Sequence, residues 1–369
     1  MDRPRIIISG GGTGGHIFPA ISIANAIKEL CPEAEILFVG AKGKMEMEKV
    51  PAAGYRIVGL PVAGLQRKLT VKNLSLPFKV IGSICKAGNV INEFKPDLVI
   101  GVGGYASAPV LWTASHRGIP CLIQEQNSFA GLTNKILSKR AKRICTAYER
   151  MDKYFPASRI LLTGNPIRKE IVPATEQMKK EGYELYHLDP SKKTLFVVGG
   201  SLGCRTLNEV MKQWVLNQAS SAAYQVIWQC GKIYKQGIDS FMEGRNLKNL
   251  HYTDFISRMD LAYACSDVVI SRAGAGTISE LCVAGKASIF VPSPVVAEDH
   301  QTHNAMALVN KDAALMVRDD EALEKLTPLF ESLLSDSERI STLEKNISKL
   351  GKKDASKTIA REALSLLKK

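Results

Sequence analysis

Apolar runs of four or five residues recur along the chain, each followed by a stretch long enough for a helix. In the first half they occupy residues 6–9, 36–39, 98–102, 121–124 and 143–146. Runs without polar alternation mark strands buried on both faces, and their alternation with helical stretches predicts a parallel sheet covered on each side. A polar stretch, 168–193, with Pro173, Pro190 and many Lys and Glu, has linker composition with room for one surface helix. A second series follows at 195–198, 225–229, 250–253, 268–271 and 287–291, and predicts a second doubly wound α/β domain. The boundary is expected near 166–171. The closing stretch, 354–369, sets Ile359, Ala363, Leu366 and Leu367 on one helical face, which can dock on either domain.

Two of these strands end in glycine-rich turns about half a chain length apart. Ile6-Ile7-Ile8 leads into Gly10-Gly11-Gly12-Thr13-Gly14-Gly15-His16, and Leu195-Phe196-Val197-Val198 leads into Gly199-Gly200-Ser201-Leu202-Gly203. Glycine lets backbone approach an anion closely, and the start of the following helix adds aligned N–H donors and partial positive charge. Gly10, Gly12 and Gly15 also fit the loose dinucleotide pattern G-x-G-x-x-G. A dinucleotide site wants an acid at the end of the second strand to hold the ribose. That strand ends in Gly40-Ala41, which demotes NAD or FAD, and an oxidoreductase, to a minor alternative. Ligands of such sheets bind beyond the carboxyl ends of the strands, so two such domains facing each other would make one deep cleft where two substrates meet.

Charge sharpens the picture. The net charge of +13 is one-sided: residues 1–170 hold 24 Lys and Arg against 12 Asp and Glu, whereas 171–369 hold 25 against 24. The first domain is therefore expected to meet an anionic surface. The segment 69–86 interleaves lysines with more bulky apolar side chains than one helix face needs, next to Arg67 and Lys68. That pattern favours an anionic lipid surface. Nucleic acid is not expected, since there is no RNP-like aromatic signature, zinc-finger spacing or compact basic run. The first strand begins too early to leave room for a signal peptide, and no apolar stretch is long enough to span a bilayer, so a cytoplasmic location is expected. The 8 cysteines show no C-x-x-C spacing and read as reduced packing residues.

Taken together the motifs resemble the MurG family of peptidoglycan N-acetylglucosaminyltransferases. Those carrying the resemblance are, in order, Gly11 to His16 with Pro19-Ala20; Gly103-Gly104-Tyr105 with Ser107 and Pro109; Glu125-Gln126-Asn127 with Gly131 and Asn134; Thr163-Gly164-Asn165-Pro166 with Arg168; Gly199-Gly200-Ser201 with Gly203; Arg272 to Glu280; and Asp299-His300-Gln301 with Asn304-Ala305. The resemblance implies a two-domain GT-B fold, with 1–167 binding acceptor and membrane and 168–353 binding the sugar donor; the helix at about 354–369 can pack back on the first domain. It implies an inverting transfer of N-acetylglucosamine from UDP-N-acetylglucosamine to the C4 hydroxyl of lipid I, giving lipid II. The enzyme would work at the cytoplasmic face of the inner membrane, with cell-wall synthesis proteins as possible partners.

The resemblance also assigns roles. Thr13, Gly14 and Gly15, and Gly103, Gly104, Tyr105 and Ser107, would contact the acceptor diphosphate or the transferred sugar. His16 is the candidate base, with Glu125 as the alternative, and Asn127 would touch sugar hydroxyls. On the donor side Ser201 and Arg168 would hold the UDP diphosphate. Ala275, Gly276, Thr277, Ile278 and Ser279 would let the nucleotide approach, Glu280 would accept from the ribose, Ile256 would pack on uracil, and Gln301 would bond donor-sugar hydroxyls. Leu202-Gly203-Cys204 departs from the usual Gln-Gly-Ala and leaves donor specificity in that loop open. No metal is expected: there is no D-x-D pair, and His300 and His303 have H-x-x-H spacing without a third ligand. The rival readings are another GT-B transferase acting on a membrane lipid and a noncatalytic nucleotide-sugar-binding module.

Overall fold

The computed structural model describes residues 3–62, 76–200, 202–217 and 219–367, with backbone only at 76–79. They form two compact units, 1–167 with 354–369, and 168–353. Each is built on one parallel sheet.

In the first unit the strands are β1 (Arg5–Ser9), β2 (Glu35–Ala41), β3 (Arg56–Leu60), β4 (Leu98–Gly101), β5 (Cys121–Glu125), β6 (Arg143–Thr146) and β7 (Ile160–Leu162), in the order β3-β2-β1-β4-β5-β6-β7. Helices cover both faces. Ile6 and Ile8 pack with Ile17, Ile23 and Ile27 of the helix Gly14–Leu30 on one side, and Ile7 packs with Val99, Val110 and Leu111 on the other. Alternate residues of one strand thus enter two cores, which is why β1 is apolar throughout. The C-terminal helix Ala355–Ser365 lies in this unit: Ile359, Ala360 and Ala363 are fully buried in the core that holds Ile17 and Ile27, and Glu362 pairs with Arg143 at 3.0 Å.

The second unit has β8 (Thr194–Val198), β9 (Gln225–Gln229), β10 (Leu250–Thr253), β11 (Val268–Ser271), β12 (Ala287–Phe290) and β13 (Leu315–Met316), in the order β10-β9-β8-β11-β12-β13. Trp214, Trp228 and Phe330 fill the core on one face. The expected linker is part of this unit. Thr175 caps the helix Glu176–Leu185 by accepting from Met178 N at 3.2 Å, and a Cβ on Gly182 would lie only 2.8 Å from Leu261 O, so glycine is what lets this helix pack closely.

The sheets follow the strand expectations, the edge strand β10 included, except at the other three edges. The sequence reading did not anticipate β3, β7 and β13. β3 opens on the exposed Arg56, and β7 and β13 are apolar but only three and two residues long. In each sheet the chain reverses its direction of winding at one place, between β1 and β4 and between β8 and β11. Such switch points leave a crevice beyond the strand ends, and there a doubly wound sheet binds its ligand.

Candidate functional site

At the switch point of the first unit, the turn after β1 and the loop after β4 touch. A Cβ on Gly104 would lie 2.3 Å from Gly11 O, and one on Gly103 would lie 2.9 Å from Cδ2 and Nε2 of His16. Both glycines have left-handed φ, +82° and +91°, so their identity is set by backbone conformation as well as by clearance. The helix begins at Gly14 with Thr13 as its extended N-cap residue. Thr13 Oγ1 lies 3.2 Å from His16 Nδ1. Nε2, the other ring nitrogen, lies on the side of Gly103. Tyr105 stands 55% exposed beside this loop.

Two expected contributors face inward. Ser107 is fully buried and donates its hydroxyl to Gly104 O at 2.8 Å, so it shapes the loop and does not present Oγ to an acceptor. Glu125 is also buried. One carboxylate oxygen accepts from Asn127 N at 3.1 Å, and the other accepts from Gly131 N at 3.1 Å and Asn134 Nδ2 at 2.9 Å. Burial pushes its pKa above the usual carboxylate range although these bonds oppose the rise. It ties the 125–134 loop together, and so holds Asn127.

In the second unit, a Cβ on Gly203 would lie 2.1 Å from Cys230 O, whereas Gly200, at φ +87°, faces open space. The loop is thus anchored at one end and open at the other, and Gln229 Nε2 steadies it by donating to Gly200 O at 3.0 Å. Ser201 lies outside the described residues. Leu202, in the place of the family's Gln, is 64% exposed. After β11 the helix Ala275–Ala284 starts at an extended Gly274, which carries no side-chain cap. Gly276 is exposed, and Thr277 and Ser279 are half-buried; Ser279 Oγ donates to Ala275 O at 2.9 Å. Ile278 is buried, so only its backbone can serve a ligand, and Ile256 is 4% exposed beside an exposed Phe255.

Arg168 and Glu280, 112 residues apart in sequence, meet as a fork: Nε donates to Oε1 at 2.7 Å and Nη2 to Oε2 at 2.6 Å. Desolvation would lower the guanidinium pKa, but the bonds and charge of Glu280 carry it upward. Tyr263 OH donates to Glu280 Oε2 at 3.3 Å. Gln301 Oε1 accepts from Ser293 N at 2.9 Å, leaving its amide nitrogen to donate elsewhere. Just before its helix, Glu298 and Asp299 both have positive φ, +55° and +48°. Two consecutive non-glycine residues there store strain of the kind found at ligand clamps.

Sequence reasoning passed over Glu46. Its carboxylate, 1% exposed, accepts from Gly12 N at 3.1 and 3.2 Å and from Ala41 N at 2.9 Å. The available signal was the pair Gly11 and Gly40, whose clearances it fills. Among the described residues no group of three or more His, Cys, Asp or Glu is placed to hold a metal ion.

Comparison with known proteins adds to this geometry. The glycosyltransferase family 28 N-terminal domain matches residues 6–146, and the glycosyltransferase family 28 C-terminal domain matches 194–359. A protein of Parabacteroides distasonis is 51% identical over the whole of both chains, and one of Flavobacterium psychrophilum is 48% identical over 100% of this chain and 99% of its own. Both are named UDP-N-acetylglucosamine--N-acetylmuramyl-(pentapeptide) pyrophosphoryl-undecaprenol N-acetylglucosamine transferase. The crystal structure of Acinetobacter baumannii MurG is similar with a TM-score of 0.79 and 27% identity, covering 98% of this chain and 99% of that one.

Proposed function

This chain belongs to glycosyltransferase family 28, and on that footing we infer that it transfers N-acetylglucosamine from UDP-N-acetylglucosamine to the C4 hydroxyl of lipid I. The product is lipid II, with inversion to a β1,4 link. The observation that carries the reading is likeness without a break: 51% identity along the entire length of a protein named for this transfer. A glycine-rich turn at the switch point of each GT-B domain supports it.

The chemistry is a displacement at the anomeric carbon. The acceptor oxygen forms a bond to C1, the bond from C1 to the UDP oxygen breaks, and the hydroxyl proton must go to a base. His16 Nε2 takes that proton, with Thr13 fixing the ring through Nδ1. Gly14 and Gly15 at the helix start, with Gly103, Gly104 and Tyr105, receive the acceptor's sugar and diphosphate, and Asn127 meets its hydroxyls. On the donor side the leaving diphosphate gains charge. The open backbone at Gly200 with Ser201, the amino-terminal turn from Ala275 to Ser279, and Arg168 answer that charge. Each Glu280 oxygen has two acceptor positions, so Oε1 can hold Arg168 and still accept from a ribose hydroxyl. The Ile256 segment backs the uracil, and Gln301 donates to the sugar. With no D-x-D pair in the chain, protein groups carry the diphosphate.

A prenyl-anchored acceptor requires work at a membrane surface. Val80, Ile81 and Trp112 are 48%, 59% and 43% exposed on the helices Leu76–Phe94 and Ser107–His116 of the first unit, the half with the excess of basic residues. Residues 63–75, at the head of the expected lipid-binding segment, lie outside the described residues. No helix among the described residues is long and apolar enough to cross a membrane. We place the protein peripherally on the cytoplasmic face of the inner membrane, where cell-wall synthesis proteins are its natural neighbours.

The test is the stereochemistry of the product. NMR of the disaccharide released from the lipid should show a β link to the C4 oxygen of N-acetylmuramic acid. An α link, or label on any other hydroxyl, refutes the reading.

A further inference from the structure

The first glycine turn has the sequence of an anion cradle, yet part of it is already filled. Glu46, the first residue of the helix Glu46–Ala52, turns its side chain under the turn and is 1% exposed. Both carboxylate oxygens accept from Gly12 N, at 3.2 and 3.1 Å, and Oε1 also accepts from Ala41 N at 2.9 Å. A Cβ on Gly11 would lie 2.1 Å from Oε1, and one on Gly40 would lie 2.6 Å from the Glu46 Cγ. Two glycines that read as clearance for a ligand are therefore clearance for this side chain. The same carboxylate links the ends of β1 and β2, where a dinucleotide enzyme places its ribose-binding acid.

We propose that Glu46 is a positioning residue for the transfer: a built-in carboxylate that stands where an anion would otherwise bind, sets the turn carrying Thr13 and His16, and closes that seat to phosphate. Three consequences follow from the geometry. Gly12 is one residue before Thr13, so fixing its amide fixes the start of the helix, and with it the hydroxyl 3.2 Å from His16 Nδ1. A fixed negative charge at the Gly12 amide repels a diphosphate from that one seat, which leaves the acceptor's pyrophosphate to the helix start at Gly14 and Gly15 and to the Gly103-Gly104-Tyr105 loop. The missing acid at Gly40 is supplied from six residues further on, facing the turn's own backbone in place of a ribose.

This inference rests on His16 as the base, and its test has readouts that do not depend on turnover. In Glu46→Gln the amide oxygen can still accept from Gly12 and Ala41, whereas Glu46→Ala leaves both amides without an acceptor. Misplacing a catalytic group by about 1 Å costs about 100-fold. Glu46→Ala is expected to lose that much kcat with an unchanged KM for UDP-N-acetylglucosamine, and Glu46→Gln is expected to retain most of its activity. In nitrogen NMR of the imidazole, the His16 resonances should move in Glu46→Ala and stay near wild type in Glu46→Gln. Inorganic pyrophosphate, titrated calorimetrically, should bind Glu46→Ala about tenfold more tightly than wild type, because the amides and helix end are then free of the carboxylate. If Glu46→Ala does not fold, Glu46→Gln decides, since its neutral side chain should still admit pyrophosphate more readily than wild type. Unmoved His16 resonances in Glu46→Ala, or pyrophosphate binding equal to wild type in every folded variant, would overturn the proposal. If wild type shows no transfer, the function fails while these two readouts still judge Glu46.

Discussion

His16→Ala is expected to lower kcat by about 10²- to 10⁴-fold, the usual worth of a placed general base, with no change in the affinity for UDP-N-acetylglucosamine. The asymmetry follows from where the residue sits. His16 belongs to the first unit, on the helix that leaves the turn after β1, whereas the groups assigned to the donor lie in 168–353. Its ring is held from Nδ1 by Thr13, and Nε2 lies against Gly103. The rival base, Glu125, has a raised pKa from burial and would accept a proton readily, but each of its oxygens already accepts from its own loop. Rapid-quench turnover together with calorimetric titration of UDP checks the point. Turnover within threefold of wild type would remove His16 from the mechanism, and a matching loss of UDP affinity would move it to the donor side.

Glu280→Ala should weaken UDP binding by about 10- to 100-fold and lower the stability of the second unit. The carboxylate is nearly buried, and its loss leaves the Tyr263 hydroxyl without its acceptor and the Arg168 guanidinium without its fork. Arg168 is 42% exposed, so water recovers part of that cost, and the stability loss should be about 1–3 kcal/mol, below the figure for a fully buried pair. The larger effect is on the ligand, because Arg168 then has no fixed direction from which to meet the diphosphate. Denaturant unfolding and UDP titration measure the two effects separately. UDP affinity equal to wild type would break the link between this pair and the donor.

The architecture was legible where burial was complete. Strands such as Ile6-Ile7-Ile8 and Leu195-Phe196-Val197-Val198 lie between two helical layers, and that forces apolar side chains in both directions. Three of the four edge strands escaped: Arg56 opens β3 with a charge, and β7 and β13 are only three and two residues long. The polar stretch after residue 168 read as a linker because half of its helix is charged, and its close packing passes through one small residue, Gly182. At the site, glycine turns announce themselves locally. Partnerships do not. The Arg168–Glu280 fork spans 112 residues, and Glu46 reaches the turn at Gly12 from 34 residues away. Burial is equally silent: the sequence alone does not show that the side chains of Ser107 and Ile278 face inward.

The central claim is that cleavage of the nucleotide sugar is coupled to a prenyl-linked acceptor. Its most direct test is UDP release from UDP-N-acetylglucosamine by the purified chain on anionic vesicles, with lipid I, with diacylglycerol, or with no acceptor. The expected result is one UDP released for each labelled sugar gained by lipid I, and no release in the other two arms. Release with diacylglycerol, release with water alone, or none with lipid I would contradict the account.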